Sequence, residues 1–132
     1  MSTFATFETP ALKNEELLLD ALRKLGFGDP VIERGERLQM NGYGRQRRTA
    51  QIVIRRENIP GANYGDLGFV RTDRGYELIA DDMDIERISG GRFIPEITKA
   101  YNEGVVERVR RRVRGGVSAK TVGRTVVRTV RF

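Results

Sequence analysis

The chain has 132 residues, 39% of them apolar and 32% charged, with a formal net charge of +6, which fits one globular domain. It contains no cysteine and no histidine, and this excludes disulfides, Cys-type zinc sites and Ser-His or Cys-His catalysis. No run approaches the ~20 apolar residues that cross a bilayer, and the opening MSTFATFETP lacks the charged and apolar regions of a secretory signal.

The alternation of Phe4, Thr6 and Glu8 with smaller neighbours predicts a short strand over residues 2–8. After Pro10, Asn14 is placed to cap a helix whose first turn carries Glu15 and Glu16, where the helix dipole favours negative charge. Leu18, Ala21, Leu22 and Leu25 share one face of that helix, and Gly26 stands where a left-handed cap would end it. Residues 31–40 read as a weak strand or hairpin arm, and Asn41-Gly42-Tyr43-Gly44 as a turn. The β-branched run in TAQIVIRR predicts a strand over 49–56, followed by a loop at 57–65. Strands over 66–72 and 75–80 flank Asp73-Arg74-Gly75, a hairpin signal. From about 93 to 114, Ile97, Tyr101, Val105, Val109 and Val113 recur every four residues, a helical stripe that Gly115-Gly116 ends. Residues 121–132 read as a closing strand. The order β-α-β-β-β-β-α-β predicts an α+β domain over 1–132, with a mainly antiparallel sheet and two helices packed on one face.

Several patches, in order along nearly the whole chain, resemble a known family. They are Met1-Ser2 with Phe4 and Thr6, Ala21-Leu22 through Leu25-Gly26, and Gly42-Tyr43 followed by Ala50-Gln51-Ile52-Val53-Ile54-Arg55. Asp66-Leu67-Gly68-Phe69 followed by Tyr76-Glu77-Leu78-Ile79-Ala80-Asp81 is the most specific; Tyr101-Asn102 and Val130-Arg131-Phe132 complete the set. The chain resembles the hypothetical chloroplast reading frame 35 family, also called domain of unknown function 1257, of cyanobacteria, red-algal plastids and some phages. It departs from that pattern after Asp81, where Asp82-Met83-Asp84-Ile85-Glu86 replaces aromatic residues, and its basic tail is heavier. The expected setting is cytoplasmic; the resemblance implies a compact α+β fold and adds a plastid stroma or phage-infected cell as settings. It carries over no catalytic residues, because none are established for the family.

The positive charge is concentrated. Residues 105–132 hold nine basic groups against one acidic, whereas residues 76–104 hold three against seven. Arg108, Arg110, Arg111, Arg112 and Arg114 fall on the polar faces of the second helix, and Arg124, Arg128 and Arg131 punctuate the last strand. Such a surface suits an acidic protein partner or a nucleic-acid backbone; the plainer alternative is a solvated helix face and a charge-protected edge strand. A second basic feature is the loop carrying Tyr43, Arg45, Arg47 and Arg48, which has the groups to stack a base and hold a phosphate, or is simply a basic turn. Asp66, Tyr76 and Asp81 are candidates for a small pocket, although a turn-stabilising Asp and a half-buried Tyr need no ligand. The carboxylates Asp81, Asp82, Asp84 and Glu86 have the oxygen ligands for Mg²⁺ or Ca²⁺, but a solvated acidic connector fits better because the order is not that of an EF-hand.

No metal, cofactor or membrane role is expected from these features, and the oligomeric state is left open. The function expected is a non-enzymatic interaction module, a small basic subunit or adaptor docking an acidic protein partner through its C-terminal arginines. RNA, ribosome or DNA backbone binding is the alternative, and an enzyme using Asp, Tyr and Arg chemistry a further one.

Overall fold

A computed structural model describes residues 2–9 and 12–114. Its elements are β1 (Phe4–Phe7), α1 (Glu15–Lys24), β2 (Ile32–Asn41), β3 (Arg47–Ile54), β4 (Leu67–Thr72), β5 (Gly75–Asp81) and α2 (Phe93–Arg114). The five strands form one antiparallel sheet in the order β1-β5-β4-β3-β2. The predicted α+β class, strand order and helix count hold within these residues; the closing strand expected at 121–132 lies outside them.

The alternation of side chains along a strand splits the apolar residues into two clusters. Ile52, Phe69 and Leu78 stand in register across β3, β4 and β5 and pack with Leu18 and Leu22 of α1 and Ile97 and Tyr101 of α2. Both helices therefore lie on one face. Val53, Gly68 and Ile79, also in register, belong to the opposite face, where Val53 and Ile79 meet Phe4, Met40 and Ala50. Gly68 is a close-approach position: a Cβ there would collide with the Met40 thioether and stand 3.1 Å from the Ala50 Cβ.

The local signals act as chemistry requires. The Asn14 side chain accepts from the Leu17 N–H and caps α1, while Gly26 takes a φ of 102° just past the helix. The Tyr101 hydroxyl accepts from the N–H groups of Lys13 (3.1 Å) and Asn14 (2.8 Å), fixing α2 against the start of α1. Of the helical stripe, Ile97, Tyr101, Val105 and Val109 are buried and Val113 is half-buried.

One irregularity shapes the rest of the molecule. The pairing of β2 with β3 shifts between Arg34 and Leu38, and extra residues in one strand bend and twist a ribbon. The far end of this hairpin reaches β1, at the other edge of the sheet. Gln46 Oε1 accepts from the Phe4 N–H (2.8 Å), Gln46 Nε2 donates to the Ser2 carbonyl (2.7 Å), and Arg48 donates to Thr6 Oγ1 (3.2 Å). The sheet is thus partly rolled, and side chains of its own hairpin occupy polar groups of the β1 edge.

Candidate functional site

Where the rolled sheet meets itself, three buried carboxylates, Asp66, Asp84 and Asp81, accept from backbone N–H groups. Asp66, only 3% exposed, accepts from the Asn41 N–H (2.8 Å) and Arg55 Nη1 (2.9 Å) on Oδ2 and from the Arg56 N–H (3.0 Å) on Oδ1. Arg55 also forms a two-pronged pair with Glu33, at 2.7 and 2.9 Å. Glu33 foremost, and Asp66 after it, hold the Arg55 guanidinium charged against the opposing cost of its partial burial; Arg55 in turn lowers the Glu33 carboxyl below its ordinary value.

Asp84, 1% exposed, accepts from three successive backbone N–H groups, those of Asn63, Tyr64 and Gly65, at 2.9–3.2 Å. Asp81, equally buried, accepts from the N–H groups of Met83 (2.8 Å) and Asp84 (3.2 Å) on Oδ1, while its Oδ2 has no partner. Asp82 is half-buried and Glu86 exposed. The solvated acidic connector expected over these residues is therefore wrong in part. Asp81 and Asp84 are turned inward because five backbone N–H groups in two turns need acceptors there. Among the described residues no group of three or more Asp or Glu side chains is arranged to hold a metal ion.

Burial pushes the Asp81 carboxyl above its ordinary value, the Met83 and Asp84 N–H groups oppose that shift, and the neighbouring Asp84 and Asp82 charges add to it. A raised folded-state pKa means that stability falls as pH rises through and above the usual carboxylate range. Asp81→Asn keeps an acceptor for both N–H groups and removes the charge. It is expected to raise stability by about 1 kcal/mol at pH 7, a gain that disappears toward pH 4. Thermal melts across that interval check this; a lower midpoint than wild type at pH 7 would contradict it.

These carboxylates position an aromatic pair. Tyr43, in the β2–β3 turn beside Asn41 and Gly42, is 53% exposed. Its ring meets that of Tyr64 edge-on, with centroids 5.6 Å apart and an interplanar angle of 78°. The Arg87 guanidinium lies 5.4 Å from the Tyr64 ring centre, and Arg56 donates to the Tyr64 carbonyl (3.1 Å). Arg45, Arg47 and Arg48 are exposed around the same turn. The structure thus joins the Tyr43 loop to Tyr64, Arg56 and Arg87, which sequence reasoning missed. A signal was present: a tyrosine beside glycine and close to asparagine occurs twice, in Asn41-Gly42-Tyr43-Gly44 and Asn63-Tyr64-Gly65.

The triad of Asp66, Tyr76 and Asp81 does not form a pocket. Tyr76 pairs with Arg71 near the β4–β5 turn, whereas Asp81 pairs with Phe4 at the other end of β5, about 17 Å away at the rise of a strand. Tyr76 instead lines a cavity of about 710 Å³ with Glu8, Thr9, Lys13, Glu15 and Arg71 among its other walls. Neither Asp66 nor Asp81 borders it.

The last two turns of α2 carry the other predicted surface. Arg108, Arg110, Arg111, Arg112 and Arg114 are all exposed, while Val105 and Val109 anchor the helix between them. Among the described residues the ion pair of this group is Arg111 with Glu107, at 3.5 Å. Positive charge here also complements the helix dipole. Arg124, Arg128 and Arg131 lie outside the described residues.

A family model described as Protein of unknown function (DUF1257) matches residues 21–123. The chain belongs to this family. For DUF1257 the match runs from the last turn of α1 through β2, β3, β4, β5 and α2, so the Tyr43–Tyr64 pair and the helical arginines both fall inside the family region. No curated protein and no solved structure matches the chain. No helix among the described residues is long and apolar enough to cross a membrane.

Proposed function

We propose that this DUF1257 chain is a non-enzymatic docking module, a small basic subunit that engages an acidic protein partner through the arginines of α2. The observation that carries this reading is the exposure of Arg108, Arg110, Arg112 and Arg114 on the end of a helix whose Val105 belongs to the core cluster and whose Val109 is buried. Charge presented on a fixed scaffold steers encounter and sets orientation at modest entropic cost. No aromatic residue interleaves with these arginines in residues 105–114, so the surface lacks the stacking groups of a base-binding helix. The separation of Tyr76 from Asp66 and Asp81 supports binding over Asp/Tyr/Arg catalysis.

The test is capture from nuclease-treated extract of the source cells, with wild type beside an Arg108→Gln, Arg110→Gln, Arg112→Gln, Arg114→Gln variant; glutamine preserves helix propensity. The reading expects a protein partner that survives nuclease and binds the variant about tenfold more weakly or worse. Capture that vanishes with nuclease, or that the variant retains in full, would overturn it.

A further inference from the structure

The Tyr43 turn is a different surface from the arginine end of α2. Gly42 of that turn packs on Phe4, in the apolar cluster on the sheet face opposite the helices. From the turn we infer a second binding site: a platform for single-stranded nucleic acid, with Tyr43 stacking a base and Arg45 and Arg47 facing the phosphates.

Three observations converge on it. First, the exposed large apolar side chains of the described residues are Tyr43 and Met83. Met83 is the neighbour of Asp84, whose carboxylate holds the Tyr64 turn, so both belong to this end of the molecule. Second, the exposed ring is held in place rather than left on a loose loop. Gly42 packs on the Phe4 ring, Gln46 is bonded to Ser2 and Phe4, Asn41 is bonded to Asp66, and the Tyr64 ring supports the edge of Tyr43. An aromatic fixed before binding loses little entropy when a base stacks on it.

Third, the charge is complementary to phosphate. Residues 37–56 contain six arginines and no carboxylate. Asp66 and Asp84 direct their oxygens at backbone N–H groups and Arg55, and Asp82 accepts from the Thr3 N–H, while Glu57 and Glu86 stay exposed. Arg45, Arg47, Arg56 and Arg87 face solvent around the tyrosines. A duplex buries its base faces in its own stack, so a protruding tyrosine flanked by guanidinium groups fits an unpaired strand.

The experiment measures fluorescence anisotropy of labelled oligo(dT) and oligo(U) of about 12 nucleotides, beside a duplex of equal length, at about 50 mM salt. Tyr43→Leu leaves the net charge unchanged and alters a half-exposed side chain, so thermal melts should match wild type. It is expected to weaken single-strand binding about tenfold, while Tyr43→Phe stays within about twofold. Arg45→Gln with Arg47→Gln should weaken it and flatten its salt dependence. No single-strand binding at low salt, unchanged affinity in Tyr43→Leu, or equal affinity for the duplex would each overturn the inference. So would oligonucleotide binding lost in the α2 glutamine variant but kept in Tyr43→Leu, a result that leaves protein docking through α2 to be judged by its own capture experiment.

Discussion

Replacing Asp84 with alanine is expected to lower stability by about 3–5 kcal/mol, a large share of what holds a small domain folded. The carboxylate is 1% exposed and is the acceptor for the N–H groups of Asn63, Tyr64 and Gly65. Alanine leaves three part-buried or buried donors without a partner. A hydrogen bond to a charged acceptor contributes about 1.5–3 kcal/mol, and an orphaned donor costs more than its bond contributed. Asp84→Asn should do little better, because its NH₂ group would face N–H donors that need an oxygen. Urea unfolding of both variants is the check: a loss under about 1 kcal/mol would show that the turn re-forms without its anchor. The Tyr64 ring should lose its fixed position under Tyr43 in these variants, and the change in tyrosine fluorescence reads that free of tryptophan emission, since the chain has no tryptophan.

Asp66→Ala is the second large effect, expected at about 2–4 kcal/mol. It strips an acceptor from Asn41 N–H and Arg56 N–H together and takes one of two carboxylates from a guanidinium that is 23% exposed. The Glu33 pair persists, which is why the loss should fall below that of an isolated buried pair. Chemical denaturation with a double-mutant cycle against Arg55→Ala separates the contributions. Additive losses would mean that Asp66 acts through the two backbone N–H groups alone; a coupling of about 1 kcal/mol or more is expected.

The elements were legible where local chemistry decides them. Asn14, the Leu18–Leu22 face and Gly26 specify α1 within a turn, and the four-residue stripe from Ile97 to Val109 specifies α2. The Asp73-Arg74-Gly75 hairpin forms as its composition requires. What lay beyond reach was non-local. Asp81-Asp82-Met83-Asp84 looks like a charged, solvated connector because three carboxylates within four residues carry no sign of where their acceptors are needed. Asp84 is buried for the sake of Asn63–Gly65, some twenty residues away. Tyr43 and Tyr64 meet because the register shift in β2 bends a hairpin over the sheet, and no spacing in sequence encodes that bend. The grouping of Asp66 with Tyr76 and Asp81 failed for the converse reason: nearness along β5 is not nearness in a site, since a strand carries its two ends far apart.

The fold therefore presents fixed positive charge in two places, and the proposed docking role rests on the charge at the end of α2. Its most direct test is the affinity of the purified chain for its captured protein partner, measured from about 50 to 500 mM salt. A docking surface built on Arg108, Arg110, Arg112 and Arg114 predicts affinity that falls steeply over this range, with a slope that flattens in the four-glutamine variant. Affinity independent of salt, or the same slope in the variant and the wild type, would contradict it.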